Sequence, residues 1–124
     1  MRVGIDLVCV DAVQESIATH AERYLRRIYT DREIDDCTSA QGVDPRRLAA
    51  RFAAKEATIK ALRAGYAGIS WRTIEVLRNT DGSVELELSG PAADLAVESG
   101  LTAFALSITH DGEYASAVVV ASGA

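Results

Sequence analysis

The run that Asp44-Pro45 opens and Gly65 closes constrains the fold more than any other stretch of this sequence. An aspartate at the cap followed by proline in the first helical position is a strong start signal, and the spacing predicts a helix running to about Ala64. At steps of about 100° per residue, Leu48, Phe52, Ile59 and Leu62 fall on one stripe, which must face a core. Glu56 and Lys60 share a flank beside Ala49 and Ala53. They can be an ordinary surface pair worth about 0.3–0.5 kcal/mol. The small alanines around them point instead to a place where another group approaches closely. Lys55 lies inside the apolar stripe, one turn after Arg51. It either snorkels past the core edge or joins Arg51 and Lys60 in a short segment of three cations and one carboxylate.

The other elements read as partners for this helix. Residues 2–10 form an apolar, bounded strand. Residues 12–29 carry mixed helical signals in Val13, Ile17, Tyr24, Leu25 and Ile28. Thr30-Asp31-Arg32-Glu33 is a capping box that starts a new helix at Asp31. Thr38 to Asp44 reads as a loop. Residues 73–79 and 84–88 pair about an Asp81-Gly82 turn. Gly90-Pro91 opens a short helix that Gly100 closes, and residues 102–109 and 113–121 pair about Asp111-Gly112. This order predicts an α+β fold: a single domain over residues 1–124, with a largely antiparallel sheet and one long helix. A chain of 124 residues buries roughly two-thirds of its unfolded surface and needs no staples.

Charge and composition exclude several functions. Thirteen Lys and Arg against 18 Asp and Glu leave a net charge of -5, which argues against a general nucleic-acid binder. Aromatic residues make up 6%, too few for base-stacking platforms. Cys9 and Cys37 stand far apart without a C-x-x-C or a histidine pair, so neither zinc nor a disulfide framework is expected. They read as two buried, reduced thiols of a cytoplasmic protein. Asp6 falls where a signal peptide would be apolar, and no run approaches the ~20 apolar residues of a membrane span.

Two further residues, Asp6 and His110, do not fit a purely structural pattern. Asp6 interrupts the first strand and shares its face with Gly4 and Val8; a carboxylate there is either solvated or held by a cation. His110 ends a strand at a turn, where side chains meet solvent and ligands, although a lone histidine is more often only a turn residue. Ser107, His110 and Asp111 are too close in sequence to form a hydrolase triad, and neither a Walker A loop nor a G-x-G-x-x-G is present. Together these features suggest carboxylates for a hard cation and cations for phosphates, the usual setting for magnesium.

Four segments, in order, resemble one family: Gly4-Ile5-Asp6-Leu7-Val8; Arg51-Phe52-Ala53-Ala54-Lys55-Glu56-Ala57 with Lys60; Ile69-Ser70-Trp71 before Ile74-Glu75-Val76; and Leu106-Ser107-Ile108-Thr109-His110-Asp111. The chain resembles the holo-(acyl-carrier-protein) synthases, the small single-domain phosphopantetheinyl transferases, over nearly its whole length. The most specific element is R-F-A-A-K-E-A.

The resemblance implies a reaction, partners and roles. The phosphopantetheine arm of coenzyme A passes to a serine of an apo acyl carrier protein, and adenosine 3',5'-bisphosphate leaves. Asp6 and Glu56 become magnesium ligands, and Lys60 the cation on the pyrophosphate, so that Asp6, Glu56 and Lys60 form the catalytic set. Arg51, Lys55, Lys60 and His110 form the coenzyme-binding set, with Arg51 and His110 meeting phosphates. The serine proton passes to water at the metal site or to Glu56 directly. A homotrimer with sites at subunit interfaces is implied, with the valine- and alanine-rich strand Ala115 to Ala121 available to a neighbour. Arg23, Arg26 and Arg27 fall on one helix face; that face is either a solvated surface balanced by Glu15, Glu22 and Glu33 or, as the family implies, the grip on the carrier. The chain also departs from the pattern. The family often carries glutamate three residues after the first aspartate, where Cys9 stands here, and an arginine soon after, where Asp11-Ala12-Val13 stands. Two other readings follow from the same residues: a non-catalytic oligomeric module that binds acyl carrier protein or coenzyme A, and a magnesium-dependent hydrolase of a nucleotide pyrophosphate, which would need no carrier.

Overall fold

The computed structural model describes residues 1–65 and 68–123. Strand β1 (Arg2–Cys9) leads directly into helix α1 (Val10–His20), followed by α2 (Glu22–Ile28) and α3 (Asp31–Asp36). Two two-residue strands, β2 (Thr38–Ser39) and β3 (Gly42–Val43), precede the long helix α4 (Pro45–Leu62). A turn of 3-10 helix (Trp71–Thr73), the hairpin β4 (Ile74–Arg78) and β5 (Val84–Leu88), helix α5 (Gly90–Glu98), and strands β6 (Ala103–Asp111) and β7 (Tyr114–Ser122) complete the order. The main sheet runs β1-β7-β6, antiparallel throughout, and β4-β5 is a separate antiparallel pair. The α+β reading with a largely antiparallel sheet holds.

The differences from expectation are local. The run 12–29 is two helices, because Ala21 takes φ 44° and ψ -121°, a conformation that a side chain with a β-carbon disfavours. The long helix stops at Leu62, not Ala64, because Arg63 adopts the left-handed cap at φ 57° ahead of Gly65. The 38–44 loop contains the small β2-β3 ladder, which pairs Thr38 with Val43 and Ser39 with Gly42. Cys37 is buried but Cys9 is exposed. The alternation of β1 turns Cys9 to the face opposite Val8, which overturns the expectation of two buried thiols.

Helix α4 is buried on nearly every side. Leu48, Ala49, Ala50, Ala53, Ala54, Ala57 and Ala61 belong to a core shared with α1, α2 and the sheet, while Ile59 and Leu62 belong to a second core with Ile74, Ala92, Ala96 and Leu101. Its alanines let neighbours approach from several sides, while Arg46, Arg47 and Lys60 keep part of it exposed. The expected stripe holds at Leu48, Ile59 and Leu62, while Phe52 is only half-buried and packs on Trp71 with ring centroids 5.3 Å apart.

The alanines of α4 do mark a close approach, and the approaching group is β1. A β-carbon added at Gly4 would lie 1.8 Å from the carbonyl oxygen of Ala57. Glycine is therefore required for β1 to lie on the helix at this depth. Arg2 anchors the same contact by donating to the carbonyl of Leu62 at 3.4 Å. On the inner face of the sheet Ala115, Ala117, Val119 and Ala121 are buried against α4. The opposite face presents Val3, Ile5 and Leu7, exposed by 60%, 62% and 65%, in register with Val120, Val118 and Ser116.

Candidate active site

The approach at Gly4 brings the first cluster together. Asp6, two residues along β1 on the inner face, accepts an ion pair from the Lys60 ammonium at 3.2 Å. The same ammonium donates to the Ile5 carbonyl at 2.9 Å. Lys60 remains 52% exposed and Asp6 18%, so the pair faces solvent. Glu56 stands one turn before Lys60 on α4 and is half-buried. Asp6 and Lys60 thus meet across β1 and α4, with Glu56 one helical turn away. Asp6 is held by a cation, which settles the alternative left open by the strand pattern.

These residues suit a hard cation. Both candidate ligands are carboxylates, and magnesium needs only one or two when phosphates and waters complete its shell. Among the described residues no group of three or more His, Cys, Asp or Glu could hold a metal. The donor chemistry fits magnesium bound together with a phosphate substrate and does not fit a closed zinc site.

A second cluster lies elsewhere. Arg47, Arg51, Arg78 and His110 line a cleft of about 190 Å³, floored by Ala50 and Ile108. Arg51 is 3% exposed, and its buried Nε has no hydrogen-bond partner. An orphaned guanidinium nitrogen beside three more basic side chains is arranged to receive an anion. Arg47 and Arg78 were not singled out in the sequence, because they belong to a helix start and a strand end whose meeting depends on the tertiary fold. Arg51 and Lys60 are nine residues apart, about 180° around the helix. Strand β7 also separates β1, which carries Asp6, from β6, which carries His110. The Asp6–Glu56–Lys60 and Arg51–His110 groups therefore occupy opposite flanks of α4 within one chain.

Lys55 does not belong to either cluster. It is fully buried and donates to the Glu33 carboxylate at 2.7 Å and to the carbonyls of Trp71 at 3.0 Å and Ile74 at 2.5 Å. All three ammonium hydrogens are spent, so its expected contact with coenzyme A is corrected to a structural one. Desolvation pushes its pKa below the usual lysine value, opposed by the charge of Glu33. Glu33 is expected both to cap α3 and to balance the α2 arginines on a solvated face. It does form the capping box with Thr30, but at 0% exposure it is no surface charge; its carboxylate pairs with Lys55 instead.

A cavity of about 400 Å³ is lined by Arg27 of α2, Ile59 of α4, and Ile69, Ser70 and Trp71. Ile59 lies one turn after Glu56 on α4. Arg23, Arg26 and Arg27 are all exposed on α2, with Arg26 engaged by Glu22 at 2.8 Å.

A strand-borne aspartate, a helix-borne glutamate and lysine one turn apart, and a separate basic cleft are the groups this α+β scaffold offers to a hard cation and to phosphates. The chain belongs to the 4'-phosphopantetheinyl transferase superfamily, whose family model matches residues 2–119. Among its relatives, the holo-(acyl-carrier-protein) synthase of Salinispora arenicola is 43% identical over 131 aligned positions, covering 98% of this chain and 97% of that protein. Among solved structures, the Chronobacterium ammoniagenes ACPS–CoA complex superposes with a TM-score of 0.83 at 32% identity, covering 99% of this chain and 97% of that one. The Helicobacter pylori holo-(acyl-carrier-protein) synthase in complex with coenzyme A gives a TM-score of 0.83 at 28% identity, covering 97% and 99%.

Proposed function

We propose that this chain is a holo-(acyl-carrier-protein) synthase: one transferase domain that moves the 4'-phosphopantetheine group of coenzyme A to a serine of an apo acyl carrier protein. The observation that carries the reading is the Asp6–Lys60 contact one turn from Glu56, which sets two carboxylates and one ammonium where a pyrophosphate and its cation can be held together. The serine oxygen attacks the phosphorus that bears the pantetheine and gives up its proton to water or to Glu56. A new P–O bond forms, the pyrophosphate bridge breaks, and adenosine 3',5'-bisphosphate leaves. Asp6 and Glu56 would hold magnesium, which would neutralise charge on the pyrophosphate oxygens. Lys60 adds a second positive charge on the same oxygens, where it counts most as the bridge breaks. The nucleophile belongs to the carrier, so the chain needs no activated serine or cysteine of its own.

Arg51 and His110, with Arg47 and Arg78, receive further phosphate of coenzyme A. Because they lie on the flank of α4 opposite Lys60, we infer that one coenzyme A is held by two copies, each giving one half of the site. A homotrimer is the assembly proposed. The open stripe of Val3, Ile5 and Leu7, with Val118 and Val120 beside it, gives the copies an apolar surface to bury. Among the described residues no helix is long and apolar enough to cross a membrane; the setting proposed is the cytoplasm, where carrier proteins of fatty-acid or polyketide type are modified.

The test is intact-mass analysis of an apo carrier protein incubated with the chain, coenzyme A and magnesium. A mass gain of one phosphopantetheine, abolished by excess chelator, is the expected result. Carrier or coenzyme binding without transfer would leave the non-catalytic module, and pyrophosphate cleavage without a carrier would leave the hydrolase.

A further inference from the structure

Lys55 and Glu33 form the only ion pair among the described residues with both side chains at 0% exposure. The knot they tie joins four segments. Lys55 comes from the middle of α4 and binds the carbonyls of Trp71 and Ile74. Glu33, from the first turn of α3, accepts the backbone N–H of Thr30 at 2.9 Å and that of Val76 at 3.0 Å. Thr30 in turn donates to Glu75 at 2.5 Å. A buried pair of this kind is weak evidence for stability, since apolar side chains of equal volume often serve as well or better. What an apolar replacement cannot do is fix the direction of the two carbonyls.

Those carbonyls belong to a segment with work to do. Ile69, Ser70 and Trp71 form one wall of the cavity of about 400 Å³, and Ile59 of α4 and Arg27 of α2 form the others. Ile59 lies one turn beyond Glu56, and Lys55 directly precedes Glu56 in sequence. The ammonium therefore ties the wall of the cavity to the same helical turn that carries a candidate metal ligand.

We propose that Lys55 is a positioning residue for the transfer reaction: its buried contact with Glu33, Trp71 and Ile74 holds the Ile69–Trp71 wall in register with Glu56, so that the acceptor side of the reaction meets the phosphate correctly. This inference rests on the transferase reading. It assigns Lys55 no contact with substrate, and it separates Lys55 from Lys60 five residues later, which faces the phosphates.

The test is the double variant Lys55→Met, Glu33→Met, which removes both charges and keeps volume, assayed beside wild type. The expected result is a folded protein whose coenzyme A affinity by calorimetry stays within about twofold and whose kcat falls about 10- to 100-fold, the usual range for a partner that orients a ligand residue. Trp71 is the only tryptophan, so the same variant should show red-shifted emission and easier acrylamide quenching. A folded double variant with kcat within about twofold of wild type, or a loss confined to the KM for coenzyme A, would overturn the proposal. If the double variant does not fold, Glu33→Gln keeps the shape and one acceptor. It should lower kcat and shift Trp71 emission at unchanged coenzyme A affinity, and full kcat in that variant would equally overturn the proposal. Wild-type protein that modifies no carrier strikes the transferase reading; an active wild type beside an equally active variant strikes only this inference.

Discussion

Helix α4 carries two lysine–carboxylate pairs five residues apart that do opposite work. Lys55–Glu33 is sealed at 0% exposure on both sides, at 2.7 Å. Lys60–Asp6 is open, with exposures of 52% and 18%, at 3.2 Å. Both pairs oppose a lysine ammonium to one carboxylate and both cross from α4 to another element. In the sealed pair every donor is committed and water is excluded, so the charges can only hold structure. In the open pair solvent screens the attraction and either partner can turn to a ligand. Environment, not residue type, decides which lysine is committed to structure and which stays open to a ligand.

Each pair has a cysteine near it that reports the difference. Cys37, at the end of α3, has its thiol pushed up to about 11 by burial, with the Arg51 charge opposing. Cys9, on β1 three residues after Asp6, is exposed. The pairs also differ in what reaches them. Lys55 of the sealed pair binds Trp71, which walls a cavity of about 400 Å³, while the open pair includes Asp6 of β1, at the edge of the sheet.

The largest effect should come from breaking the sealed pair on one side only. Lys55→Ala leaves an uncompensated buried carboxylate and should cost about 3–5 kcal/mol, read as a lowered urea midpoint with unchanged slope. Lys60→Ala should cost under about 1 kcal/mol. Equal losses in the two variants would erase the distinction drawn between the pairs.

Activity should reverse that order. Asp6→Ala leaves the fold within about 1 kcal/mol and lowers turnover by about 10²–10³-fold, the range for removing one group that stabilises developing charge. Stopped-flow or mass-based kinetics with apo carrier checks this. A variant as active as wild type would make Asp6 only a surface carboxylate that pairs with Lys60.

The thiols sharpen the contrast further. At pH 8 a thiol reagent should modify Cys9 alone, and Cys37 should react only on unfolding. Because the folded thiol of Cys37 keeps its proton above the ordinary value of 9.0, the unfolded chain binds fewer protons between pH 9 and about 11. Its contribution is complete below pH 9 and fades as pH rises through about 11. Wild type should lose about 1–3 kcal/mol more than Cys37→Ala over that window. Parallel stability curves for the two proteins would show that the Cys37 thiol titrates as it does in the unfolded chain.

Much of this was legible in the sequence, and the illegible part has a physical cause. The start of α4 at Asp44-Pro45, the capping box at Thr30 and the two hairpins follow from local signals that act within a few residues. Helical spacing and small alanines group Glu56 with Lys60, but Asp6 joins Lys60 only through the family resemblance, and nothing local points to Gly4 as the enabling contact. Lys55 went astray because a lysine in an apolar stripe looks the same whether it snorkels, binds phosphate or meets a buried acid from another element. Its partner, Glu33, already had a sufficient local role as a capping residue, so nothing in the sequence called for a second one. Arg47 and Arg78 were passed over for the same reason: a basic cleft assembled from a helix start, a strand end and His110 has no linear pattern.

The smallest predicted effect concerns the arginine face of α2, and it extends the contrast between open and sealed charge to the partner. The chain is net acidic at -5, so bulk charge cannot draw an acidic carrier to it; a local patch must. Arg23, Arg26 and Arg27 are exposed on one helix, but Arg26 is held by Glu22 at 2.8 Å, which leaves Arg23 and Arg27 as the larger contributors. Arg27 also lines the cavity beside Trp71, so its reversal mixes docking with positioning, whereas Arg23 reports docking alone. Arg23→Glu should raise the KM for carrier protein about threefold at low salt and leave the KM for coenzyme A unchanged. The effect should fade by about 0.5 M salt, where the screening length falls to a few ångströms. The sealed Lys55–Glu33 pair should show no such salt dependence, since no ions reach it. Carrier kinetics indifferent to Arg23→Glu at low salt would move docking to another face and leave the α2 arginines as solvated surface.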